Sequence, residues 1–231
     1  MAAAGREREA GRVTVRPAQA RYGLLLACCG LSVIVQGAVP PGDVQRVAVT
    51  ALAASCLVLA LRAAQPPYRV MQGAVFASTL AVVAALGALA GVDMGEGAVR
   101  VMNAGLLLIG PPAVAVGVVH DLRATGGVRI QAVLGVVAFY LLIGMLFGFV
   151  YGALDNVDSP VFANGVSATV SNCVYFSFIT LTTVGFGDIV TRSDVGHTLA
   201  LSEALLGQIY LVTVVSVLVS NLGRRPRDAE R

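Results

Sequence analysis

Residues 182–188 read TTVGFGD, with Gly185 and Gly187 at alternate positions behind Thr182, Thr183 and Val184. Successive carbonyls of an ordinary strand point to opposite sides, whereas glycine reaches positive φ at little steric cost. Glycines at every second position therefore allow a run of carbonyls to turn toward one side. Several copies of such a run around an axis would stack rings of oxygen atoms. Carbonyl oxygens are hard, neutral ligands that can replace the water shell of a dehydrated cation and still release it. Asp188 follows at the end of the run, where a carboxylate concentrates cations.

Such a backbone must be held by longer elements, and the composition says what kind. Of the 231 residues 57% are apolar and 13% are charged, against about 25% charged in soluble domains. A helix needs about 20 apolar residues to cross a bilayer. Six stretches qualify: 22–39, 45–63, 70–92, 98–119, 128–154 and 197–222. A seventh, SNCVYFSFITL at 171–181, is too short to cross and is expected to be re-entrant. Non-helical backbone at membrane depth survives only where protein buries it or a water-filled cavity solvates it, and 182–188 must meet one of these conditions.

The basic residues are all arginine, sixteen of them. With both termini cytoplasmic, thirteen fall on the inner side and only Arg46, Arg100 and Arg192 outside, as the positive-inside bias demands. The 171–188 segment then enters from the outside and returns there. A net charge of +3 spread along the chain gives no footing for nucleic acid. Cys28, Cys29, Cys56 and Cys173 sit in or beside apolar runs and are read as packing residues. His120 and His197 belong to no ligand set, no nucleophile–base pair occurs, and no enzyme or cofactor is expected.

Thr182 to Asp188 resemble the selectivity filter of tetrameric potassium channels, with phenylalanine where that family usually carries tyrosine. The resemblance implies an all-α membrane protein of six transmembrane helices. A re-entrant pore helix and an extended filter lie between the fifth and sixth. It also implies that K+ is bound by the carbonyls of Thr183, Val184, Gly185 and Phe186 and by the Thr183 hydroxyl, with Gly187 completing the filter. Tyr175 and Phe176 stand where the family has an aromatic pair around the filter. Ile179 stands where some members carry a glutamate paired with the acid after the filter, which leaves Tyr175 as the expected contact of Asp188. Thr182 supports the filter from below.

Gly207 follows Gly187 by 20 residues, the family's spacing for a hinge glycine. Two readings stand there: a bend that opens an inner gate, or a close helix contact. Leu211, Val215 and Val219 recur at four-residue spacing beyond it, either as an apolar gate or as packing on the fifth span. Glu203 and Gln208 must face protein or water, and Glu203 is placed to touch the back of the pore helix. In the fourth span Arg100 is followed by Asn103, Leu106 and Ile109 where further arginines would recur, and Pro111 and Pro112 interrupt it. Voltage sensing needs several charges per subunit in the field, so the first four spans are expected to be a non-sensing scaffold. Small residues Gly73, Ala77, Ala84 and Ala88 are expected to pack its helices closely.

The resulting organisation is a cytoplasmic tail (1–21), scaffold (22–123), pore domain (127–222) and second tail (223–231). The expected function is passive potassium conduction by a homotetramer in the cell (inner) membrane, gated by something other than a charged fourth helix. The alternatives are a weakly selective cation channel of the same fold and a non-conducting sensor or assembly subunit.

Overall fold

The computed structural model describes residues 21–89, 95–125 and 130–222. Both tails, apart from Arg21, lie outside them. In chain order the helices are α1 (Arg21–Ala38), α2 (Asp43–Ala64), α3 (Tyr68–Leu89), α4 (Glu96–Leu108), α5 (Gly110–Thr125), α6 (Ile130–Leu154), α7 (Val170–Leu181) and α8 (Asp194–Leu222). The described residues include no strand, only an isolated antiparallel bridge between Phe162 and Thr191. Among the described residues five segments are long and apolar enough to cross a membrane: α2, α3, the α4–α5 pair taken together, α6 and α8. The apolar part of α1, Tyr22–Ala38, is shorter, and so is α7.

The breaks follow local chemistry. After α2 the chain turns at Gln65, in the left-handed region with φ 50° and its N–H on the Leu61 carbonyl. Pro66 and Pro67 follow, which cannot extend a helix. The fourth span is two helices rather than one, parted at Ile109. Pro111 and Pro112 lack the N–H that an unbroken ladder needs, yet both are tolerated in the first turn of α5.

The main core gathers Leu25 and Cys29 from α1, Leu57 from α2, Leu107 and Val114 from α4 and α5, and Leu142 from α6. The small-residue face of α3 differs from the expected one. Gly73 and Ala77 are exposed and Ala84 is half-buried, while Ala74, Ser78, Ala81 and Ala85 are buried. The side chain of Ala88 lies outside the described residues. One residue is 100° of helix rotation, and α3 is rich enough in small residues that composition alone selects no face.

A second core holds Tyr151 of α6, Phe162 of the following loop, and Cys173, Phe176 and Ile179 of α7. α7 reaches it along glycines of α6. A β-carbon at Gly144 would lie 2.7 Å from the Phe178 ring, and one at Gly148 would lie 3.0 Å from the Val174 Cα. Glycine spacing of four residues puts both on one face of α6, and only their bare backbone lets α7 approach so closely.

Arg100 of α4 crosses to the end of α6, donating to the Gly152 carbonyl at 3.2 Å and pairing with Asp155 at 3.7 Å. The Arg100 side chain thereby ties α4 to the C-terminal end of α6.

Candidate functional site

α7 begins at Thr169, whose hydroxyl caps the Asn172 N–H at 3.2 Å. Its C-terminal end is closed by the residues that follow. The carbonyl of Phe178 accepts from the Thr182 N–H at 3.0 Å and from the Thr182 hydroxyl at 2.6 Å. Thr180 accepts from the Thr183 N–H at 2.9 Å, and Ile179 accepts from Val184 and Gly185 at 2.9 and 3.1 Å. Tyr140 of α6 donates to the last carbonyl, that of Leu181, at 3.0 Å. All four C-terminal carbonyls, which a helix leaves open, are thus satisfied, and four successive N–H groups of 182–185 are used in doing so.

From there the backbone alternates. Thr183, Gly185 and Gly187 have φ of 59°, 53° and 78°. Val184, Phe186 and Asp188 do not appear among the residues with positive φ. Glycine takes such values freely, but a β-branched threonine there is uncommon and costs about 1–3 kcal/mol. The glycine positions could be read from sequence; the threonine carried no local signal. Every residue of 182–188 is exposed in the single chain, Phe186 by 70% and Val184 by 54%.

Two braces flank this segment. At its far end Tyr175 donates to Asp188 Oδ2 at 2.8 Å, the contact expected in the absence of a carboxyl at Ile179. Beyond it, the Ala163 N–H bonds the Val190 carbonyl and the Arg192 N–H bonds the Val161 carbonyl, both at 2.9 Å. These ties fasten the outgoing chain to the α6–α7 loop. Phe176, 5% exposed, turns away from the segment into the second core. Its ring lies edge-on to Tyr151 and Phe162, with centroids 4.9 and 5.2 Å apart. Ile179 is buried in the same cluster. The two aromatics of the expected pair therefore do different things: Tyr175 braces the segment and Phe176 anchors α7.

Behind α7 lies a buried polar knot. Glu203 of α8 is fully buried. Tyr151 donates to its Oε2 at 2.7 Å, and Ser177 Oγ lies 2.5 Å from its Oε1 and 2.6 Å from the Gly144 carbonyl oxygen. The expected contact of Glu203 with the short helix α7 is present; its partner Tyr151, 52 residues away, was not anticipated.

Gly207 sits directly on the end of α7, where an added β-carbon would collide with the Leu181 carbonyl. α8 runs unbroken through it, so in this conformation the close-contact reading describes the residue. Nearby, Tyr210 donates to the Val136 carbonyl at 2.7 Å and stacks on Phe139 and Tyr140. Leu211 is 41% exposed. The side chains of Val215 and Val219 lie outside the described residues.

Residues 135–224 match the model of a family described as an ion channel family. Curated relatives from Homo sapiens, Mus musculus and Rattus norvegicus, each named voltage-gated potassium channel regulatory subunit KCNG1, are 31% identical over 93 residues. That alignment takes in 39% of this chain and 17% of each relative, so the chain spans about a sixth of their length. No solved structure matches. The matched region runs from the glycines of α6 through α7 and the alternating segment to α8. It lies in a helical chain whose described residues include five segments long and apolar enough to cross a membrane.

Proposed function

We propose that the chain is one subunit of a homotetrameric potassium-selective channel that conducts passively through residues 183–187. The observation carrying this reading is the alternation of positive φ at Thr183, Gly185 and Gly187 immediately beyond a capped, half-length helix. Twelve residues of helix extend about 18 Å, well short of the roughly 30 Å hydrocarbon core. This supports α7 as re-entrant and α1, α2, α3, α4–α5, α6 and α8 as six crossings. The carbonyls of Thr183, Val184, Gly185 and Phe186, with the Thr183 hydroxyl, would replace the hydration shell of K+.

One such segment per chain makes a ring only when four chains meet. The exposed apolar residues of α8, among them Leu201, Leu205, Ile209 and Val212, supply faces for neighbouring subunits and lipid. The arginine distribution supports a plasma (inner) membrane protein with both termini cytoplasmic. Leu211, Val215 and Val219 would form the apolar inner gate, on the cytoplasmic side of the close contact between Gly207 and the Leu181 carbonyl. With Arg100 tied to Asp155, no mobile charge ladder drives that gate.

The test is flux from purified protein in liposomes under opposed potassium and sodium gradients. The reversal potential is expected to follow potassium; one that follows sodium equally removes the selectivity claim and leaves a weakly selective cation channel. A second reading is favoured by the relatives, which are named regulatory subunits. Intact tetramers without barium-sensitive flux would assign the chain to that role.

A further inference from the structure

The polar knot behind α7 brings more oxygen atoms together than its two hydroxyls can bridge. Three oxygen–oxygen contacts, of 2.7, 2.6 and 2.5 Å, link Tyr151 to Glu203, Ser177 to Gly144, and Ser177 to Glu203. All lie in the O–H···O range, and each requires a hydrogen between its oxygens. Tyr151 supplies one and Ser177 supplies one. The Gly144 carbonyl has none to give, and one serine hydrogen cannot serve two acceptors at such short range. A hydrogen on the Glu203 carboxyl completes the set.

We propose that Glu203 is held as a neutral carboxylic acid and is a positioning residue for the pore. Its Oε1–H donates to Ser177 Oγ, Ser177 donates to the Gly144 carbonyl, and Tyr151 donates to Oε2. The chain of bonds joins α8, α7 and α6 directly behind the alternating segment, six residues before Thr183 at Ser177. Burial agrees with neutrality: Glu203 is fully buried, and no cation is paired with it among the described residues. An isolated ionised carboxylate in such a place is costly, whereas the acid satisfies every atom. The titratable groups facing it are Tyr140 and Tyr151 on α6, with Cys173 on α7 bordering Tyr151.

Infrared difference spectroscopy of the purified protein in H2O and D2O tests the protonation, and it does so whether or not the chain conducts. At neutral pH the wild type is expected to show a protonated-carboxyl band, shifted in D2O and missing from E203Q; its absence from the wild type overturns the proposal. The flux readout rests on the channel reading. Glutamine can donate to Ser177 and accept from Tyr151, so E203Q is expected to keep flux within twofold. E203A is expected to lose at least tenfold. An E203Q as impaired as E203A, or an E203A indistinguishable from wild type, overturns the positioning role.

Discussion

Tyr175 of α7 and Asp188, thirteen residues apart, are joined by a 2.8 Å hydrogen bond that spans the alternating segment. With isoleucine at 179, no carboxyl from the helix shares that duty. Tyr175→Phe keeps the ring and removes the donor, which costs about 1 kcal/mol for such a partly exposed bond. We expect roughly fivefold faster loss of conduction during sustained flux, with potassium selectivity retained at early times. Unchanged time courses in single-channel or liposome recordings would show that this brace is idle.

Gly185 stands at φ 53°. Alanine in that conformation is strained by about 1–2 kcal/mol, and relief flips the peptide out of the alternation. Gly185→Ala is expected to abolish potassium flux while the assembled protein remains intact by size-exclusion chromatography. Normal conduction in this variant would rule out 183–187 as the ion path.

Arg100 is the only basic residue of the fourth span inside the described part of the α4 helix, and it is engaged by Gly152 and Asp155. Arg100→Gln is expected to lower thermal stability by about 1 kcal/mol, the scale of a partly exposed ion pair. Voltage dependence should not change, because a charge held against α6 does not traverse the field. A gating current that disappears in Arg100→Gln would reverse this assignment.

How far these relationships could be read beforehand depended on their range. The alternating glycines, the shortness of α7 and the break before Pro111 are local features, written in steric rules that act within a few residues. Tyr175 with Asp188 was legible because one missing carboxyl left one candidate partner. The Tyr151–Glu203 bond was not, since it joins residues 52 apart on two helices whose relative rotation no local rule sets. The same rotation defeated the expected face of α3, where Ala74 and Ser78 are buried and Gly73 and Ala77 are not. Four-residue spacing of Gly144 and Gly148 was the available signal for the α6–α7 seam.

Gly207 separates its two readings by experiment. A hinge glycine acts through backbone freedom, so alanine there would change the open fraction and leave the resting assembly intact. A contact glycine acts through the space it leaves, and here an added methyl meets the Leu181 carbonyl. That carbonyl is backbone, already bonded by Tyr140, and has little room to retreat. We therefore expect Gly207→Ala to destabilise the protein by about 1–3 kcal/mol, the usual cost of overpacking. Gly105→Ala, at a helix glycine with no neighbour within 4 Å of an added β-carbon, is the control and should be neutral or slightly stabilising. The measurement is thermal unfolding in detergent, followed by flux at a temperature where both variants are folded. Equal melting of the two variants, with altered open probability only in Gly207→Ala, would return the residue to the hinge.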